Sequence, residues 1–301
     1  MTTTPRIRTK KAVAEEPTTS TPPIPETPKT RDVHRVARRD WVRLGDVHVN
    51  PLVQREFVPG KADRIAATFD PEHFGTPVVN LRDGKAWMID GQHRAAALRI
   101  WLGDGWEDQK FEAEVYEGLS EAQEADTFLR RNDSMSVNAY NKFRIGVVAG
   151  WEDEQTVAGI VLREGLKISR EREAEGRVMA VGTLLRVYRR AGGIVLSRTL
   201  GIIRDAYGTP GLEAAVIAGM SMVVHRYDNL DDVELAKRLG RAHGGVSGML
   251  GKAERSRKET GNPKHFCVAG AIVDTFNGGS AESKGGNGQR LMSWWKATAN
   301  D

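Results

Sequence analysis

Between Asp90 and Arg94 the chain places a carboxylate, a glycine, an amide, an imidazole and a guanidinium in one uninterrupted run. Residues 86–89 before it can form a strand, and QHRAAALRIWL after it is rich in Ala, Leu and Arg and free of Pro, so a helix is expected to start here. A strand that turns at a glycine straight into a helix leaves backbone N–H groups unpaired at the positive end of the helix dipole, a seat for an anion. Gly91 lets a phosphate approach the backbone, Gln92 and His93 add donors, and Arg94 can grip phosphate oxygens with two N–H groups. The competing reading of the same residues is a capped turn at Asp90-Gly91 with Arg94 solvated.

The elements that must hold this turn can be read on either side of it. Residues 41–57, WVRLGDVHVNPLVQREF, alternate apolar and polar and carry the turn signal Asn50-Pro51. A helix is expected over 59–68, where Ala62, Ile65 and Ala66 share one face. Residues 77–81 and 86–89 read as two strands joined by a turn in which Asp83-Gly84 is a hairpin signal. Residues 110–116, KFEAEVY, alternate as a further strand. Ser120, with Gln123 after it, then opens a helix through a capping-box pattern.

From residue 138 the pattern is helical throughout, with segments expected at 138–149, 153–164, 171–191, 196–206, 211–226, 231–242, 265–276 and 287–298. Glycines punctuate them as C-terminal stops. Within this region EQTVAGIVLREGLKISRE reads as helix, glycine turn, helix, with Arg163, Lys167, Arg170 and Arg172 in or just after it. Such a unit is either a structural hairpin or a pair of helices that reads DNA.

Composition bounds the rest. Residues 1–33, rich in Thr, Pro, Lys and Glu, are expected to form a disordered basic tail. Net charge is +4, unevenly spread: residues 41–130 hold ten basic and sixteen acidic side chains, and residues 237–264 hold eight basic and two acidic. A nucleic-acid contact therefore belongs to the C-terminal half, unless that basic stretch is simply a solvated face. The longest nearly apolar run, 214–224, is about half of the ~20 residues a spanning helix needs. No membrane partner is expected, and a cytoplasmic setting is the default. Cys267 alone allows no internal disulfide, and the histidines show no metal-ligand spacing, so no metal site is expected.

Gly91-Gln92-His93-Arg94 resembles the phosphate-binding motif of the ParB/sulfiredoxin superfamily, Gly-Glu-Arg-Arg in ParB proteins and Gly-Cys-His-Arg in sulfiredoxins. Gln92 stands where the reactive cysteine would be, so sulfiredoxin chemistry is excluded. The opening segment resembles that of ParB-type domains too, where Asn-Pro is followed by Gln-Pro-Arg. Here it is Asn50-Pro51-Leu52-Val53-Gln54-Arg55, which adds Gln54 and Arg55 to the expected nucleotide or phosphate site. Asn132 matches the asparagine that in ParB proteins helps bind nucleotide and magnesium, while Arg131 and Met135 take the places of that motif's Glu and Arg.

The resemblance implies an α+β chain: a small mixed α/β domain over 34–137, then a helical region over 138–301 with a helix-turn-helix. It implies CTP with Mg2+ as ligand and DNA as partner, with a homodimer left open and a phage or mobile-element origin. Two other readings stand beside it. One is a metal-dependent nuclease or nucleotide-using phosphotransferase, with Glu56, Asp83, Asp90 and Asp133 as the nearest acids. The other is a DNA-modification or transcription-linked interaction module whose site is vestigial. No catalytic residue is assigned.

Overall fold

The computed structural model describes residues 37–132, 137–171, 174–227, 230–278 and 291–294. The tail expected over 1–33 lies outside them, as do Asp133, Met135 and Arg172. The described residues form one compact unit, and its architecture is α+β.

Five strands make a mixed sheet: β1 (Arg38–Arg43), β2 (Val47–His48), β3 (Val78–Arg82), β4 (Lys85–Asp90) and β5 (Lys110–Glu117), in the order β1-β5-β3-β4-β2. β3 and β4 pair antiparallel across Asp83 and Gly84, both at positive φ (54° and 71°), as the tight hairpin turn requires. Alternation along these strands separates two cores. Val79, Ala86 and Met88 pack with Ala95 and Leu98 of helix α2 (Gln92–Leu102). Val78 and Ile89 face the other way, onto Ala125, Phe128 and Leu129 of helix α3 (Glu121–Arg131) and Ile145 of helix α4 (Ala139–Val148). Helix α1 (Pro59–Ala67) packs on α2. The capping box at Ser120 and Gln123 forms as expected. Glu124, fully buried, accepts from Asn80 Nδ2 at 2.6 Å and Arg82 Nε at 3.1 Å, which ties α3 to β3.

The remaining helices are α5 (Glu152–Arg163), α6 (Val181–Tyr207), α7 (Ala214–Arg226), α8 (Asp232–Arg241), α9 (Gly245–Thr260) and α10 (Lys264–Asn277). They enclose one continuous core, to which α4 contributes Phe143. Several expectations are corrected here. The helix expected at 171 begins at Val181, because strands β6 (Lys167–Ile168) and β7 (Arg177–Val178) pair first and bury Leu166 and Val178. The region is therefore not purely helical, and no second helix follows the Gly165 turn directly. The break expected between the helices over 171–191 and 196–206 is present within α6, where Gly192 is non-helical (φ 80°, ψ 173°). Helix α9 arises where only a loop was expected. Residues 291–293 are non-helical, although a helix was expected over 287–298.

Candidate functional site

Gly91 occupies the N-cap of α2 at φ 106°, and no side chain caps the helix. The Ala95 N–H is the first to find an intrahelical partner, the Gly91 carbonyl, at 2.9 Å. The N–H groups of Gln92, His93 and Arg94 precede it at the positive end of the dipole. A Cβ at Gly91 would stand 3.0 Å from Pro77 Cβ and 3.3 Å from an Arg94 guanidinium nitrogen, so both space and φ select glycine.

The side chains around this turn fasten loops to it. Gln92 Nε2 donates to the Arg55 carbonyl (2.8 Å), and His93 Nε2 accepts from the Val58 N–H (3.1 Å). Gln54, fully buried, donates to the carbonyls of Met88 (2.9 Å) and Ile89 at the end of β4. Arg94 donates to the Phe74 carbonyl (3.0 Å) and Asp90 Oδ2 (3.1 Å). Residues 54–58 are thus laid over the first turn of α2, and Phe74 is held beside it. The structure brings Gln54, Arg55, Gly91, Gln92, His93 and Arg94 together, with their polar side-chain groups, apart from Arg55, engaged by the protein itself.

Three groups are left over. The side chains of Arg55 and Lys61 have no hydrogen-bond or ion-pair partner among the described residues. Burial, then Arg55 and Arg64, lower the Lys61 pKa. His93 is 4% exposed. Burial first, then Arg55 and Lys61, push its pKa down to about 4, so the ring is neutral at pH 7. Because Nε2 accepts from Val58, the proton sits on Nδ1, which is buried and has no acceptor among the described residues. An uncapped helix start, two unpaired cations and one unsatisfied donor converge on a single turn. Together they can hold an anion.

Lys61 and Arg144 were missed by sequence reasoning. Arg144 reaches from α4 to the carbonyls of Pro51 (2.7 Å), Leu52 (3.0 Å) and Gln54 (2.5 Å), clamping the loop that carries Arg55. Its partners lie some ninety positions away, a separation at which no local pattern signals contact.

Asn132 ends α3, its Nδ2 donating back to the Phe128 carbonyl at 2.9 Å, and Arg131 pairs with Glu114 at 2.5 Å. The acids near the turn are engaged as well, Asp90 by Arg94 and Glu56 by Arg170 (3.4 Å). Among the described residues no group of three His, Cys, Asp or Glu side chains could hold a metal ion. The donors at the α2 turn fit an anion.

Of the residues nominated for DNA, Arg163 and Lys167 are exposed, at the end of α5 and in β6. Arg170 lies over Tyr140 as well as pairing with Glu56. In the basic stretch, Lys237, Arg241, Arg255, Lys258 and Lys264 are exposed, whereas Arg238 is drawn inward by Glu234 and the Phe276 ring. No helix among the described residues is long and apolar enough to cross a membrane.

Comparison with known proteins adds the following. The profile of a family described as "Family of unknown function (DUF6551)" matches residues 49–283. No curated protein matches the chain. A crystal structure of the C-terminally truncated chromosome-partitioning protein ParB from Caulobacter crescentus, complexed with CTP-gamma-S, is faintly similar, at 11% identity and a TM-score of 0.28. That similarity covers 54% of this chain and 98% of that one.

Proposed function

Since the chain belongs to DUF6551, a family of unknown function, its activity must come from its geometry, and we propose that it binds a nucleotide through its phosphates at the N-terminus of α2 and contacts DNA through its helical region. The observation that carries the first part is the convergence of the uncapped α2 with the unpaired Arg55 and Lys61. Backbone N–H groups of residues 92–94 bind phosphate oxygens, and Arg55 and Lys61 neutralise their charge. Gln54, Gln92, Arg94 and Arg144 are positioning residues that hold the loops in place. CTP is the nucleotide that the resemblance of residues 91–94 implies. Magnesium would arrive with the phosphates.

Support for DNA rests on charge. Seven exposed cations, Lys252 and Arg257 among them, lie between Lys237 and Lys264, in a chain whose residues 41–130 are acidic overall. Arg163 and Lys167 are nominated to join them.

Calorimetric titration with CTP, ATP and GTP in magnesium tests the nucleotide assignment. CTP is expected to bind, and Arg55→Ala with Lys61→Ala is expected to weaken it about a hundredfold, from two lost charge-assisted contacts. Unchanged affinity in that double variant would sink the assignment.

A further inference from the structure

We infer that Phe57 is the platform on which the nucleotide's base stacks, so that the site selects a phosphate joined to a flat ring over phosphate alone. The inference rests on the nucleotide reading and extends it from the anion to the rest of the ligand.

Phe57 is 45% exposed, although it is a large apolar side chain. A single exposed aromatic is ordinary, but this one is neither loose nor packed into a core. Its ring is stacked on the buried His93 imidazole, with centroids 5.1 Å apart and planes inclined by 20°. The backbone on both sides of it is fixed. Gln92 holds the Arg55 carbonyl, His93 holds the Val58 N–H, and Arg144 holds the Gln54 carbonyl. The other face of the ring meets no aromatic partner among the described residues. The fold thus holds one half-exposed flat π-surface in a fixed orientation.

What lies beside that surface says what it would take. Arg55 is two positions away in the same loop, Lys61 is on α1, and both act electrostatically on the ring beneath Phe57. The three uncapped N–H groups belong to the helical turn that carries His93. A ligand lying on Phe57 would therefore have its ring on an aromatic face and its charge next to two cations and a helix start. A nucleobase joined to phosphates has that shape, and every base has a face that can stack. Stacking is tolerant of base identity, so Phe57 would distinguish nucleotides from inorganic phosphates without choosing among the bases.

Titration of Phe57→Ala and Phe57→Trp with CTP and with inorganic tripolyphosphate tests this. Loss of the platform is expected to weaken CTP by about tenfold, the usual scale for one stacked base, and to leave tripolyphosphate unchanged. Phe57→Trp is expected to retain CTP, which separates loss of the ring from disturbance of the loop. Phe57→Ala binding CTP as tightly as the parent would overturn the inference, as would an equal loss of CTP and tripolyphosphate. Those failures leave the phosphate site standing if Arg55→Ala with Lys61→Ala still loses both ligands. A parent protein that binds neither CTP nor tripolyphosphate overturns both readings at once.

Discussion

His93 carries a pH dependence that can be measured without any ligand. Its pKa is about 4 in the folded chain, against about 6.5 when unfolded, because burial and then Arg55 and Lys61 disfavour the imidazolium. Between these values the unfolded chain binds the extra proton, so stability falls as pH drops from about 6.5 to about 4, by an amount on the order of 3 kcal/mol. Urea unfolding across that range should show this slope, and His93→Gln should flatten it. Equal slopes in the two proteins would place the protonation elsewhere. At Gly91, alanine meets both a positive φ and Pro77 at 3.0 Å. Gly91→Ala is expected to cost about 1–3 kcal/mol of stability and to abolish anion binding, which thermal unfolding and calorimetry report separately. The run from Asp90 to Arg94 was legible as a strand, a glycine turn and a helix start because its residues are contiguous and such a unit needs only local pattern. Their division of labour was not legible: that Gln92 and Arg94 hold loops, while Arg55 and Lys61 stay unpaired, depends on the tertiary placement of residues 54–58 and Phe74.

Among the elements, the loop over 50–58 is the one whose position governs the site. Arg144 alone holds three of its carbonyls. Arg144→Ala is expected to free the loop and lower nucleotide affinity about tenfold or more through Arg55 and Phe57, while tripolyphosphate, which has no ring to lie on Phe57, loses less. Hydrogen exchange at residues 52–58 should rise in parallel, and unchanged exchange would rule out the clamp. The sheet and α1 to α5 were readable because their alternation, hairpin turn and caps agree with one another. Elsewhere tertiary contacts overrode local propensity. Leu166 and Val178 are drawn into the helical core, and Arg177–Val178 pairs with Lys167–Ile168 where a helix was expected from 171. Helix α9 begins in GGVSGMLG, and its glycines masked a helix that is held by Met249 and Ala253 in the core.

For the molecule as a whole, charge separates the acidic sheet region from the basic helices α8 and α9. The proposal therefore predicts DNA binding that weakens steeply with salt. Replacing Arg255 and Lys258 together should reduce the slope of log K against log salt by about two, and a salt-independent affinity would contradict it. The sheet region also depends on the buried Glu124 contact. Glu124→Ala takes one acceptor each from Asn80 and Arg82, which keep only the Leu119 carbonyl and Asp83, and is expected to cost about 3 kcal/mol, read as a lower midpoint in chemical unfolding. The central claim is that phosphate is received by the backbone at the start of α2, between Arg55 and Lys61. Its most direct test is to follow the amide resonances of Gln92, His93 and Arg94 as CTP is added to the full chain. The account predicts that these three amides move together and saturate, and that they stay still in Arg55→Ala with Lys61→Ala. Saturable binding of CTP that leaves all three unmoved would contradict it.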